Sequence, residues 1–423
     1  MALEDFAAEM ERCSQCSYCK WIPFDQVKSW RFAKNCPSIA YHNFNSYSAR
    51  GRYAVGRSLL RKSSGISSKV QHIAFSCLAC GACDVACKVC RYNLEPLEMV
   101  RELKFHLVKE GHGLEAHRAV LDSLERNGNS LGQAGGGRGK WAAGLSIPDA
   151  RSQPCEVLFH AGCGASYDPS LQGSARAAAR LLQKAGVAFG ILGEQEGCCG
   201  GRIYSMGYRE QFLRLARRNI EAWEKAGIKT VVTSCADGYH AFKRLYPGLG
   251  SRVEVLHTVE MVQRLLQEGR ISFRHEVPLT VTYHDPCHLG RQGEPYVPWD
   301  GVEKKIRGQI VVYEPKRPRY NGAWGVYDPP RDILRAIPGV KLVEMERIRE
   351  YSWCCGAGGG MREAYPRFSL WTAGERLQEA RATGATALVS ACPWCERNFR
   401  DAAQAAGDSL RVYDVIELAY EAL

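Results

Sequence analysis

The chain has 423 residues, 45% of them hydrophobic and 24% charged, an ordinary balance for a globular protein and length enough for two or three domains with cores of their own. Nineteen cysteines and a formal charge of +11 are the departures. No run approaches roughly 18 apolar residues, which excludes a spanning helix, and the acidic start Met1-Ala2-Leu3-Glu4-Asp5 has no signal-peptide character, so the cysteines are expected to be reduced metal ligands in the cytoplasm.

Residues 1–126 form the first unit. Cys13-x-x-Cys16-x-x-Cys19 is followed, 16 residues on, by Cys36-Pro37, and a second run reads Cys77-x-x-Cys80-x-x-Cys83-x-x-x-Cys87. In ferredoxin-type runs the three closely spaced cysteines hold one [4Fe–4S] cluster and the remote fourth reaches the other. On that pattern Cys13, Cys16, Cys19 and Cys87 take one cluster, and Cys77, Cys80, Cys83 and Cys36 take the second. Cys90 is an alternative to Cys87. Zinc also uses Cys-x-x-Cys, but triplets with a Cys-Pro favour iron and sulfide. Leu97, Val100, Leu103, Leu107 and Val108 recur at helical spacing, which predicts a core-facing amphipathic helix over 95–125 opened by Pro96.

Residues 127–154 are punctuated by seven glycines, Gly128, Gly132, Gly135, Gly136, Gly137, Gly139 and Gly144, and read as a linker or surface loop with no core. Cys155 stands outside every motif, as a spare thiol.

Two repeats follow, over 155–275 and 276–423. The first has a strand over 156–160 leading to Cys163 and a helix over 174–185. Then come the pair Cys198-Cys199, a helix over 209–226 and a strand over 230–234 ending on Cys235. The second has a strand over 279–283, Cys287, the pair Cys354-Cys355, a helix after Pro366, a strand over 387–390 and Cys392-Pro393-Trp394-Cys395. Both place cysteines where strands run out into helices, the usual position of sites in open α/β layers. Adjacent cysteines followed by glycines present two thiolates and bare backbone to one inorganic surface. The segment after Val412 parallels that after Val255, and Asp414 with Glu417 fits a capping box.

These spacings resemble the cysteine-rich CCG domain of the heterodisulfide reductase catalytic subunit and its relatives. The resemblance implies an α/β chain: an N-terminal helical ferredoxin-like domain with two [4Fe–4S] clusters, then two repeated α/β CCG domains. It implies that five cysteines, here Cys287, Cys354, Cys355, Cys392 and Cys395, hold a non-cubane [4Fe–4S] cluster at which substrate sulfur binds iron. It also implies disulfide cleavage in one-electron steps from paired sites. The first repeat has only Cys163, Cys198, Cys199 and Cys235, because Gly238 stands where the second has Cys395. One complete site is therefore expected, with an ordinary or altered [4Fe–4S] cluster in the first repeat.

His284 and His288 flank Cys287 and are candidates to donate protons to a departing thiolate, or equally to brace a strand-to-helix turn. His160 and His257 read as structural. Gly356-Ala357-Gly358-Gly359-Gly360 is no dinucleotide loop, since no apolar strand leads into it. The 66 residues between Cys287 and Cys354 exceed the 34 between Cys163 and Cys198 by 32, and the excess near 290–331 is expected to be a lid or a partner-docking surface.

Clusters also answer the charge. Each [4Fe–4S] core with four thiolates is about −2, so three or four bring the total to about +3 to +5, and no nucleic-acid partner is implied. The resemblance implies a hetero-oligomeric complex with no membrane span in this chain and a flavin-containing partner protein. Chains of this kind are also similar to the iron–sulfur components of benzoyl-CoA reductase assemblies and of glycolate or lactate oxidation. A pure electron relay without a substrate of its own is the remaining alternative.

Overall fold

The computed structural model describes residues 1–90, 94–295, 299–308 and 310–423; the side chain of Cys90, and Tyr296 to Pro298 of the insertion, lie outside them. Runs of β-branched and aliphatic residues form short strands: β1 (Val157–His160), β2 (Phe189–Gly190), β3 (Thr230–Thr233) and β4 (Glu254–His257). They make one parallel sheet in the order β2-β1-β3-β4. The second repeat supplies β5 (Leu279–Tyr283), then β6 (Val302–Ile306) and β7 (Ile310–Glu314), then β8 (Val340–Leu342), β9 (Ala387–Ser390) and β10 (Arg411–Asp414). Its sheet runs β8-β5-β9-β10, all parallel, in the same topology as the first. Helices cover both faces, so the strands can be apolar throughout; Val231, Val232, Leu388 and Val389 are fully buried.

In each repeat the chain leaves the first strand toward one neighbour and returns to the other, which creates a switch point between β1 and β3 and another between β5 and β9. His160 lies opposite Thr233, and Tyr283 opposite Val389, so Cys163 leaves its sheet beside Cys235, and Cys287 beside Cys392. The sheets share one continuous core. The helix Gln172–Lys184 packs on Val415–Glu421, and Thr258–Gln267 on Asp328–Ala336. The last helix of each repeat begins in a capping box, His257 with Glu260 and Asp414 with Glu417.

The first unit is helical: Ala49–Leu60, Ser68–Phe75, Ala82–Cys90 and Pro96–Lys109 enclose a small core of Leu3, Phe6, Met10, Tyr53, Phe75, Met99 and Leu103. The helix expected over 95–125 is two helices, Pro96–Lys109 and Arg118–Asn127, because Gly111 takes a left-handed φ of +81° that ends the first. Residues 127–154 differ more from expectation. Trp141, Leu145 and Ala150 enter the core of the repeats, and Asp149 bridges to Ile191 at the edge of the first sheet. The glycines set short helical turns that deliver these few apolar side chains. The insertion before the second cysteine pair forms the antiparallel hairpin β6–β7, with Val302, Ile306 and Ile310 exposed. Its flanks rest on the first unit, where Lys88 Nζ donates to Tyr320 O at 2.8 Å. Among the described residues no helix is long and apolar enough to cross a membrane.

Candidate iron–sulfur centres

Two groups of four thiols occupy the first unit. Cys36, Cys77, Cys80 and Cys83 line one enclosed cavity with Arg52, Leu97 and Val100. Burial pushes the Cys36 thiol up to about 12, with Cys80 and Cys77 among the charges facing it. Cys87, one turn beyond Cys83 on the same helix, faces Cys19, Cys13 and Cys16 instead. Cys16 is exposed and Cys19 buried, so that group lies at the surface and the other inside.

The second repeat gathers its five cysteines. Cys354 lies within hydrogen-bonding reach of Cys287 and Cys355, Cys355 of Cys395, and Cys395 of Cys392. Cys354, Cys355, Cys392 and Cys395 are each buried, and Cys287 half-buried. His284 joins them, with a ring nitrogen and the thiols of Cys355 and Cys395 all within 4.8 Å of one another. Arg376 Nε donates to His284 Nδ1 at 3.2 Å and fixes which nitrogen is free. His288 Nδ1 stands 2.5 Å from Asp237 Oδ1 and 4.0 Å from Cys287 Sγ. Burial opposes a charge on His288, but Asp237 and then Cys287 hold its pKa well above the usual range. The hydrogen bond from Cys354, followed by the charge of His288, brings the Cys287 thiol down to about 5. Five soft thiol donors, with Cys287, Cys355 and Cys392 lowered by hydrogen bonds from neighbouring thiols while Cys354 and Cys395 are held above the usual range, fit a sulfur-ligated cluster.

Glycine explains how close the loop comes to the first unit. A Cβ on Gly359, at φ +63°, would stand 2.6 Å from Cys77 O, and one on Gly358 2.7 Å from Leu78 O. The bare backbone lets Cys354 reach Cys80, whose thiol lies within hydrogen-bonding distance and falls to about 7, first through that bond and then against burial with help from Arg291. Leu78, Cys80, Ala82, Cys354, Met361 and Phe368 seal the junction.

In the first repeat Cys198 lies within hydrogen-bonding reach of Cys163 and Cys199. Cys235 reaches Cys392 of the second repeat, so the two sites adjoin. Cys155 stands apart, packed against Gly190. His257 caps a helix, accepting from Val259 N, and His160 Nε2 bonds Gly197 O at 3.1 Å.

Residues 9–90 match the 4Fe-4S dicluster domain family, and residues 157–243 and 317–400 match the cysteine-rich CCG domain. A component of the dihydromethanophenazine:CoB–CoM heterodisulfide reductase of Methanosarcina mazei is 32% identical over 98% of this chain and 94% of its own length. The chain belongs to the heterodisulfide reductase family. The probable iron-sulfur-binding oxidoreductase FadF of Bacillus subtilis is 33% identical, and the EtfAB:quinone oxidoreductase of Syntrophomonas wolfei 29%; each aligns with more than four-fifths of this chain, which covers 46% of either. Like these heterodisulfide reductase relatives, it is an iron–sulfur oxidoreductase component that transfers electrons.

In this member of the heterodisulfide reductase family, several side chains around the thiols have no signal in the sequence. Arg138, Glu196, Asp237, Arg291 and Arg376 are isolated charges in unremarkable surroundings, and only the tertiary structure carries them to the cysteines. Cys287 lies outside the second CCG match, yet its strand-end position brings it to the pair.

Proposed function

We propose that electrons pass from the Cys13/Cys16/Cys19/Cys87 site through the Cys36/Cys77/Cys80/Cys83 site to the five-cysteine site of the second repeat, where a disulfide is reduced or a dithiol oxidised. The observation that carries this reading is the contact of Cys80 with Cys354, by which the proposed electron-carrying site would lie directly against the candidate catalytic one. A non-cubane [4Fe–4S] cluster there would supply one-electron steps and an iron that accepts substrate sulfur. Two electrons and two protons turn one disulfide into two thiols. His288, held between Asp237 and Cys287, and His284, held by Arg376, are placed to deliver the protons.

Electrons enter or leave through an external protein, proposed as a flavin-containing one; the similarity to the EtfAB:quinone oxidoreductase, whose name pairs it with an external electron partner, supports exchange with another protein. The exposed hairpin β6–β7 is the proposed docking surface. The benzoyl-CoA reductase and glycolate or lactate settings are versions of the same arrangement, distinguished by which flavoprotein co-purifies anaerobically.

The test is disulfide reduction by the purified chain with an artificial donor, alongside iron and sulfide analysis and EPR before and after Cys395→Ser. Loss of activity with a changed spectrum is expected. An unchanged spectrum would overturn the site assignment, and an inactive but iron-replete wild type would leave a relay.

A further inference from the structure

The first repeat departs from the second not only by Gly238. Arg138, delivered by the glycine-rich segment, is 2% exposed and sits on the four-cysteine site. Its Nη1 donates to Cys163 Sγ at 3.5 Å, while Nε and Nη2 donate to Glu196 Oε1 at 3.1 and 3.0 Å. Gly128 O and Gly197 O accept its remaining hydrogens. Glu196 is anchored in turn: its two oxygens accept from the backbone N–H groups of Ala161 and Gly162, each at 3.0 Å, just ahead of Cys163. The carboxylate therefore serves the turn that presents the thiol, and the guanidinium has one N–H left for the sulfur.

Position 238 has room for a side chain's first carbon. A Cβ on Gly238 would meet Thr233 Oγ1, Phe242 Cε2 and Cys235 Cβ at 3.4, 3.5 and 3.6 Å, all ordinary contacts.

We propose, building on the reading that the repeats hold clusters, that Cys163, Cys198, Cys199 and Cys235 bind a four-thiolate [4Fe–4S] cluster serving as a one-electron store beside the catalytic site, and that Arg138 tunes its potential through Cys163. One electron moves across the Cys235–Cys392 contact and back, and no bond is made or broken. A buried cation hydrogen-bonded to a ligand sulfur stabilises the reduced, more negative state and raises the midpoint potential. Glu196 offsets part of that charge, so the two residues act in opposite directions. Arg138 is a positioning residue; it touches no substrate.

The experiment is an EPR-monitored redox titration of the whole chain with iron analysis. Cys163→Ser first identifies the signal belonging to the first repeat. Arg138→Gln is then expected to move that midpoint to lower potential and leave the other signals in place, and Arg138→Lys to move it less. Should Arg138→Gln not fold around its iron, Glu196→Gln, which keeps the cation, is expected to move the same midpoint upward. A signal that stays put in an iron-loaded Arg138→Gln, or that moves downward in Glu196→Gln, overturns the inference. So does a Cys163→Ser protein that has lost neither signal nor iron. None of these outcomes touches the second-repeat assignment, which stands or falls with Cys395→Ser.

Discussion

The two repeats solve one problem with different residues. Each must hold a cysteine just past its first strand, at the turn reading His160-Ala161-Gly162-Cys163 or His284-Asp285-Pro286-Cys287. In the first, the carboxylate of Glu196 binds the amides of the turn from outside, and Arg138 completes the pair over the thiol. In the second, the turn carries its own carboxylate. Asp285 accepts two bonds from Arg331, at 2.6 and 2.9 Å, and one from Arg349 N at 2.8 Å, and these lead away from the cysteines. One site thus has an arginine that donates to a thiol; the other braces its turn with Arg331, directs the hydrogen bonds of Arg291 to the carbonyls of Cys80, Glu350 and Ser352, and faces its thiols with His284 and His288. On the proposed reading, the same topology is fitted once for holding charge and once for exchanging protons.

Several experiments would break or sharpen that contrast. Cys395→Ser should lower disulfide turnover at least about a thousandfold, some 4 kcal/mol of barrier, whereas Gly238→Cys should leave turnover intact and add a second five-thiolate EPR signal. If the two variants behave alike, the repeats are not specialised. Arg331→Met strands the buried Asp285 charge and should cost about 3–4 kcal/mol in chemical denaturation, with the first-repeat signal retained.

His117 touches both halves: its ring packs against Tyr208 of the first repeat, 5.8 Å between centroids, and a Cβ on Gly360 of the second would meet it at 2.4 Å. Burial, followed by the charge of Lys104, lowers its pKa to about 4. The folded protein therefore resists protonation that the unfolded chain accepts below about 6.5. Stability is full above that pH and falls as pH drops toward 4, by about 3 kcal/mol in total. His117→Phe should remove this part of the acid sensitivity, measured as the difference from wild type in denaturation at about pH 7 and about pH 5.

Gly359→Ala forces a left-handed alanine against Cys77 O and should cost about 2 kcal/mol. Stopped-flow reduction should show the N-terminal clusters reducing the second-repeat site more slowly, with first-repeat loading unchanged. Replacing the exposed Val302, Ile306 and Ile310 of the hairpin β6–β7 by serine should alter stability by less than about 0.5 kcal/mol each while weakening association with the proposed flavoprotein; unaltered association would remove the docking role.

Much of the architecture is legible because its signals are local. Strand β5 has the expected bounds 279–283 and β9 the expected bounds 387–390, the latter a short buried run, and the box at Asp414 and Glu417 forms. The break after Lys109 does have a local mark, Gly111 and Gly113 in the stretch 109–113 that carries no apolar side chain, and the expectation of one helix over 95–125 gives it too little weight. The core role of residues 127–154 is hidden: a stretch with one tryptophan and seven glycines has no periodicity, yet Trp141 needs only one well-aimed turn to enter a core.

By itself the sequence determined the candidate donor set. Cysteines are chemically distinctive, their spacings repeat, and ligation depends on residue type, so the grouping into runs and pairs and the absence of a fifth cysteine at Gly238 are properties of the string. Only the tertiary structure decided how the sites adjoin, Cys80 on Cys354 and Cys235 on Cys392, and which charges attend them. Those contacts join residues more than 150 positions apart across separately folded layers, and an arginine or glutamate carries no mark of its partner until packing removes both from water.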